Sequence, residues 1–171
     1  MTNPLLKQKG STLLETIIYA ALVTLIIAAT VLTVFNAYKV LLQVRINRNL
    51  TAGGEAAMER LIREVRQGSS VNLGASTFDL NPGVLVLNTT NAGGNPATIT
   101  FSVVNGTLNV VDTDGVAYSL GANYASTTLL IFRTVSTSSS MGVKIEMTLV
   151  DSRAPARSIN FNSTAVLRGS Y

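Results

Sequence analysis

KGSTLLETIIYAAL, residues 9 to 22, sets one glutamate, Glu15, at the edge of an apolar run that is otherwise uncharged. The run continues as TIIYAALVTLIIAATVLTVF, residues 16 to 35, without a charge, a proline or a glycine. As a helix those residues reach roughly 30 Å, the thickness of a bilayer core. Threonines are tolerated there because a hydroxyl can return to the backbone carbonyl one turn earlier. An ionisable group beside such a run is costly, and its default reading is functional. The next charge is Lys39. The tail before the run carries lysines and no acid, but cations also follow the run. Its shortness therefore decides for a cytoplasmic amino terminus.

Simpler readings of the run fit less well. A secretory signal peptide has an apolar core of about 7–15 residues and a small-residue cleavage site after it. This run is longer, and VFNAYKVLL offers no such site. A plain signal-anchor has the length but gives Glu15 no purpose. A buried helix of a soluble domain this small is seldom apolar on every face for five turns.

The totals narrow the chemistry. With 171 residues the chain suffices for one domain with a modest core. It has no cysteine, so neither a disulfide nor a thiolate is available. It has no histidine, the commonest general base and usual zinc ligand. The net charge is +4, but the cations are scattered: Lys7 and Lys9 before the run, Lys39, Arg45 and Arg48 after it, Arg60, Arg63 and Arg66 later. No dense basic patch with interleaved aromatics appears, so direct nucleic-acid binding is not expected. No GxxxxGK[ST] loop is present for nucleotide. No cofactor is implied.

KGSTLLE followed by about twenty apolar residues resembles the class III signal of type IV prepilins and pseudopilins, a bacterial family. The resemblance implies a basic leader, Lys7 and Lys9, ending at Gly10. A prepilin peptidase would cut between Gly10 and Ser11 on the cytoplasmic side. Ser11 would become the new amino terminus, the position that the family's peptidase N-methylates, and Glu15 the fifth mature residue. In the family this glutamate meets the free amino terminus of a neighbouring subunit as the filament grows. Such a pair offsets the desolvation of both charges, and a misplaced subunit would leave the carboxylate unpaired. The plain alternative is a carboxylate facing lipid headgroups. The chain departs from the family twice. Its mature chain would begin with serine where phenylalanine is usual, and it lacks the mid-helix proline of many major pilins. A straight, continuous helix through residue 35 and beyond is therefore expected.

Beyond the run, NAYKVLLQVRINRNLTA keeps a helical stripe through Val40, Leu41 and Val44, more weakly through Ile46 and Leu50. Gly53 and Gly54 cost roughly 2 kcal/mol of helix preference together, so a bend or break is expected there. In EAAMERLIREVRQ, Met58, Leu61, Ile62 and Val65 share one face. Glu59–Arg63 and Arg60–Glu64 stand four apart, which supports a helix ending at Gln67 and Gly68. REVRQ reads as a solvated face. MERLIREVRQGSSV also resembles the helix end of minor pilins and J-type pseudopilins.

From residue 70 charges thin, and short alternating runs read as antiparallel strands. Strands are expected near 70–73, 76–80, 84–88, 97–104, 107–112, 116–120, 127–135, 142–150 and 157–167. Asn105–Gly106 is a hairpin signal. DTDG, 112–115, reads as a turn in preference to a calcium site at Asp112 and Asp114. NTTNAGGNP, 88–96, and STSSS, 136–140, read as loops, and the serines have no base to activate them. Asn-x-Ser/Thr tripeptides at Asn49, Asn88, Asn105 and Asn162 carry no weight beside a bacterial resemblance. The basic loop DSRAPAR and the strand SINFNSTAVLR resemble the head of minor pilins and J-type pseudopilins more loosely.

The expected structure is an α+β, pilin-like chain, a lollipop whose long helix packs on an antiparallel sheet. Its parts are a leader over 1–10, a transmembrane part over 11–35, a helical continuation over 36–68 and a β-rich head over 69–171. The resemblance implies a structural subunit of a pilus or type II secretion pseudopilus, a minor one. Its partners would be the prepilin peptidase, other pilin or pseudopilin subunits, an inner-membrane assembly platform and the lipid bilayer. The rival is a membrane-anchored, adhesin-like binding module that does not polymerise. An enzyme is the poorest reading, because Asp79, Asp112, Asp114, Glu146 and Asp151 show no recognisable pairing in the sequence.

Overall fold

The structure, a computed structural model, describes residues 12–121, 123–136 and 140–168, with the backbone alone over 154–156. Helix α1 spans Leu13–Gln67. The chain divides into two units at Val44 and Arg45.

In the first unit, the helix from Leu13 to Val44 exposes apolar side chains on every side. Its hydroxyls are turned inward: Thr16, Thr24, Thr30 and Thr33 donate to the carbonyls of Leu13, Ala21, Ile26 and Ala29, each at 2.8 Å. A threonine in this state presents mainly its methyl group outward. Among the described residues, this is one helix long and apolar enough to cross a membrane. The stripe expected at Val40, Leu41 and Val44 is not covered; those side chains are 57–58% exposed. Inward packing begins only at Ile46, which rests against the core, and Leu50, which is buried in it.

In the second unit, Leu50, Ala57, Met58, Leu61 and Val65 form the buried face of the helix, with Ile62 packed beside it. The helix does not break at Gly53 and Gly54. Gly54 is buried, and a Cβ there would overlap the ring of Phe161. The glycine therefore serves close approach of helix and sheet, and burial offsets its poor helix preference. The helix ends as expected, with Gly68 N–H donating to the Glu64 carbonyl at 2.8 Å.

The strands are antiparallel but form two sheets rather than one. The first, in order β1-β2-β3-β4-β5, holds Ser70–Val71, Leu85–Thr90, Pro96–Val104, Thr107–Val111 and Ala117–Ser119. The second, β6-β7-β8, holds Ala125–Ser136, Met141–Asp151 and Ala154–Val166. Both send side chains into the helix-backed core. In β7, Val143, Ile145, Met147 and Leu149 point inward while Lys144, Glu146 and Thr148 point out, the alternation of a half-buried strand.

Asn105 and Gly106 both take positive φ, 51° and 74°, and close β3 onto β4 with Val104 opposite Thr107. That is the two-residue turn the sequence predicts. Asp112 to Gly115 also form a turn, with the Gly115 N–H donating to the Asp112 carbonyl at 2.9 Å.

Three expectations are corrected. Residues 76–80 are not a strand; only Thr77 bridges, to Val84. Asp79 takes φ +58°, which no strand residue does. This segment instead lies along the margin of β6: Asp79 N–H donates to Phe132 O at 3.0 Å and Gly83 N–H to Leu130 O at 2.8 Å. Asn81 completes the seam by accepting from Leu130 N–H at 2.9 Å. The loop expected over 88–96 narrows to 91–95, because β2 and β3 pair out to Thr90 and Pro96. DSRAPAR is not a loop throughout; Asp151 pairs with Ala154 across a tight turn, and β8 begins at Ala154. Of the STSSS segment, Ser136 lies in β6, and 137–139 lie outside the described residues.

Candidate functional site

Lys7, Lys9, Gly10 and Ser11 lie outside the described residues. The described part of the predicted site begins at Thr12, which precedes the helix. The Thr12 carbonyl accepts from the N–H groups of Glu15 at 2.9 Å and Thr16 at 3.2 Å, and its hydroxyl lies 3.4 Å from Glu15 N. Thr12 is thus the N-cap and Glu15 the third helical residue. Threonine followed three positions later by glutamate is the sequence signature of a capping box, of which the structure shows the Thr12 half. A carboxylate in the first turn also meets the positive end of the helix dipole. Both Thr12 and Glu15 are exposed. The T-x-x-E spacing is the sequence signal for this helix start.

Apart from Glu55, each acid of the sheet-bearing unit is held by a partner. Arg60 joins Glu64 (2.9 Å) and Asp112 (3.0 Å), tying the helix to the β4–β5 turn. Glu64 is 7% exposed, so REVRQ is not a wholly solvated face. Arg63 and Glu59 do form an exposed pair at 2.7 Å. On the outer face of the second sheet, Glu146 accepts from Lys144 at 2.7 Å and Arg133 at 3.3 Å. Arg133 also holds Asp79 at 2.5 Å. The Lys144 ammonium, with Arg133 beside it, holds the Glu146 carboxyl below the usual carboxylate range. Asp151, 1% exposed, binds Arg153 at 2.8 Å, and that guanidinium lies over the Tyr124 ring.

Asp112 and Asp114 spend their oxygens locally. Asp112 accepts from Arg60 and from Thr113 N–H, and Asp114 from Val116 N–H and the Tyr118 hydroxyl. The Asp114 charge pushes the Tyr118 hydroxyl above its ordinary value. Among the described residues, no three metal-ligating acids converge. These ion pairs join positions 52 and 54 residues apart, a distance no sequence motif bridges.

No family model, curated protein or solved structure matches this chain.

Proposed function

We propose that the chain is a pilin-like or pseudopilin-like subunit, held in the membrane by α1 and assembled through it into a filament. The observation that carries this reading is the amino-terminal half of the helix. Between Thr12 and Tyr38 its one charged side chain is Glu15, in the first turn, above an apolar surface exposed on all sides. In lipid that surface is at home; in a bundle of like helices it packs on itself. A carboxylate at the head of such a helix has a purpose if a cationic amino terminus meets it. The cut between Gly10 and Ser11 would create such an amino terminus at Ser11, with Glu15 as the fifth residue of the mature chain.

The first-turn position of Glu15 favours the rival, a single-pass anchor that does not polymerise, because a carboxylate there meets the positive end of the helix dipole without any partner chain. The two readings separate on processing. The full chain is co-expressed with a prepilin peptidase, and intact masses are taken for wild type and Gly10→Ala. Loss of residues 1–10 from wild type alone supports the pilin-like reading; an uncut wild-type chain overturns it and leaves the anchor.

A further inference from the structure

The second sheet has one partly covered margin and one open one. The segment from Asp79 to Gly83 covers the middle of β6, at Thr128, Leu130 and Phe132. At the other side, no described strand pairs with the outer edge of β8. An unpaired edge is a template for another strand.

The helix runs beside this edge in the same direction. Gly54 faces Phe161, and the Arg66 carbonyl accepts from Arg168 N–H at 3.4 Å. Along the helix that interval is about 18 Å, and along the strand about 23 Å. Between the two elements lie two hollows that share Glu59 and Ile62, so they form one trough. The larger hollow, about 660 Å³, is at the end of the helix.

Charge is graded along this trough. Glu55 lines one end, Glu59 lies where the two hollows meet, and Arg63, Arg66 and Arg168 line the other end. Arg63 is engaged by Glu59. Arg66 and Arg168 are exposed and form no ion pair among the described residues. Complementing the helix dipole accounts for Arg66 but not for Arg168, which lies beyond β8.

We propose that this trough binds an extended peptide segment, acidic at one end, that adds to the free edge of β8 as a further strand. Backbone groups of β8 supply the affinity common to strand addition. The two free guanidiniums select the acid and set its position by charge-assisted, fork-shaped hydrogen bonds. About 20 Å of extended chain is roughly six residues. A nucleic acid fits less well. A polyanion would meet Glu55 and Glu59 over half its path, and it would leave the strand edge unpaired. The inference does not depend on filament formation; an anchored module would use the same trough.

The test uses the full chain in detergent micelles and a fluorescein-labelled nine-residue peptide. The peptide alternates valine and threonine and carries three aspartates at one end; it is made in both chain directions. Saturable binding is expected in one direction, weakened at least about tenfold by Arg66→Glu with Arg168→Glu. The same peptide N-methylated at alternate amides is expected not to bind, a comparison that needs no protein variant. Absence of binding by both peptides overturns the proposal. So does equal binding of the N-methylated peptide, or tighter binding of an oligothymidylate of similar length. Circular-dichroism melting of the double variant confirms that lost binding is not lost folding.

Discussion

The Phe161 ring lies against Gly54 so closely that one added methyl group would occupy the same space. The sheet thus rests on helix backbone at this point, where a side chain would normally intervene. Gly54→Ala gains about 1 kcal/mol of helix preference but overpacks the contact by about 1–3 kcal/mol. A net loss of about 1 kcal/mol is expected in denaturant titration of the full chain in detergent. The same substitution in a Phe161→Leu background should lose less, because the ring that obstructs it is gone. Equal losses in both backgrounds would show that the ring is not the cause.

Glu15 has two candidate roles that two substitutions separate. Glutamine retains the hydrogen-bonding capacity of a capping box and removes the charge; alanine removes both. If the charge matters to assembly, Glu15→Gln and Glu15→Ala both abolish filaments while cleavage after Gly10 continues. If only the cap matters, Glu15→Gln assembles normally and Glu15→Ala alone is impaired. Filament yield by electron microscopy, beside intact mass, reads the difference.

Arg60 neutralises the buried Glu64 and the partly exposed Asp112. Arg60→Met leaves a nearly buried carboxylate without its cation, at a cost of about 2–3 kcal/mol. Asp112→Asn removes the more exposed contact and should cost under about 1 kcal/mol. The order of the two unfolding midpoints is the readout, and a reversed order would mean that the helix is held to the β4–β5 turn mainly through Asp112.

Glu146 predicts a pH dependence. Its folded value lies below the ordinary 4.5 because Lys144 and Arg133 favour the charged form. A carboxylate lowered in this way stabilises the fold above its unfolded value, and that contribution disappears as pH falls through the folded one. Wild type should melt above Glu146→Gln at pH 6–7, and the difference should close in acid. A constant difference across that range would mean that packing, not charge, accounts for the loss.

What was legible in the sequence was local. The Met58, Leu61, Ile62 and Val65 face follows from helical periodicity, and the Asn105–Gly106 hairpin from two adjacent residues suited to positive φ. Most strands after residue 84 show their alternation directly. What was not legible depends on partners far away in the chain. Gly54 reads as a breaker until Phe161 is set against it. The 76–80 segment has strand-like composition, yet hydrogen bonds to Phe132 and Leu130 draw it along β6 and turn Asp79 out of strand geometry. Splitting of the strands into two sheets follows from which edges meet, and no single strand encodes that. Arg66 and Arg168 look like scattered cations because one closes a helix and the other follows the last strand.

The seam of Asp79, Asn81 and Gly83 along β6 has a bearing on stoichiometry. With the middle of that margin occupied, a visiting strand cannot pair along the full length of β6, whereas β8 is open to one. A visiting strand at β8 would meet each molecule once, in one location, without a second equivalent berth across the sheet. The loop that fails to be a strand would thereby direct a guest to β8.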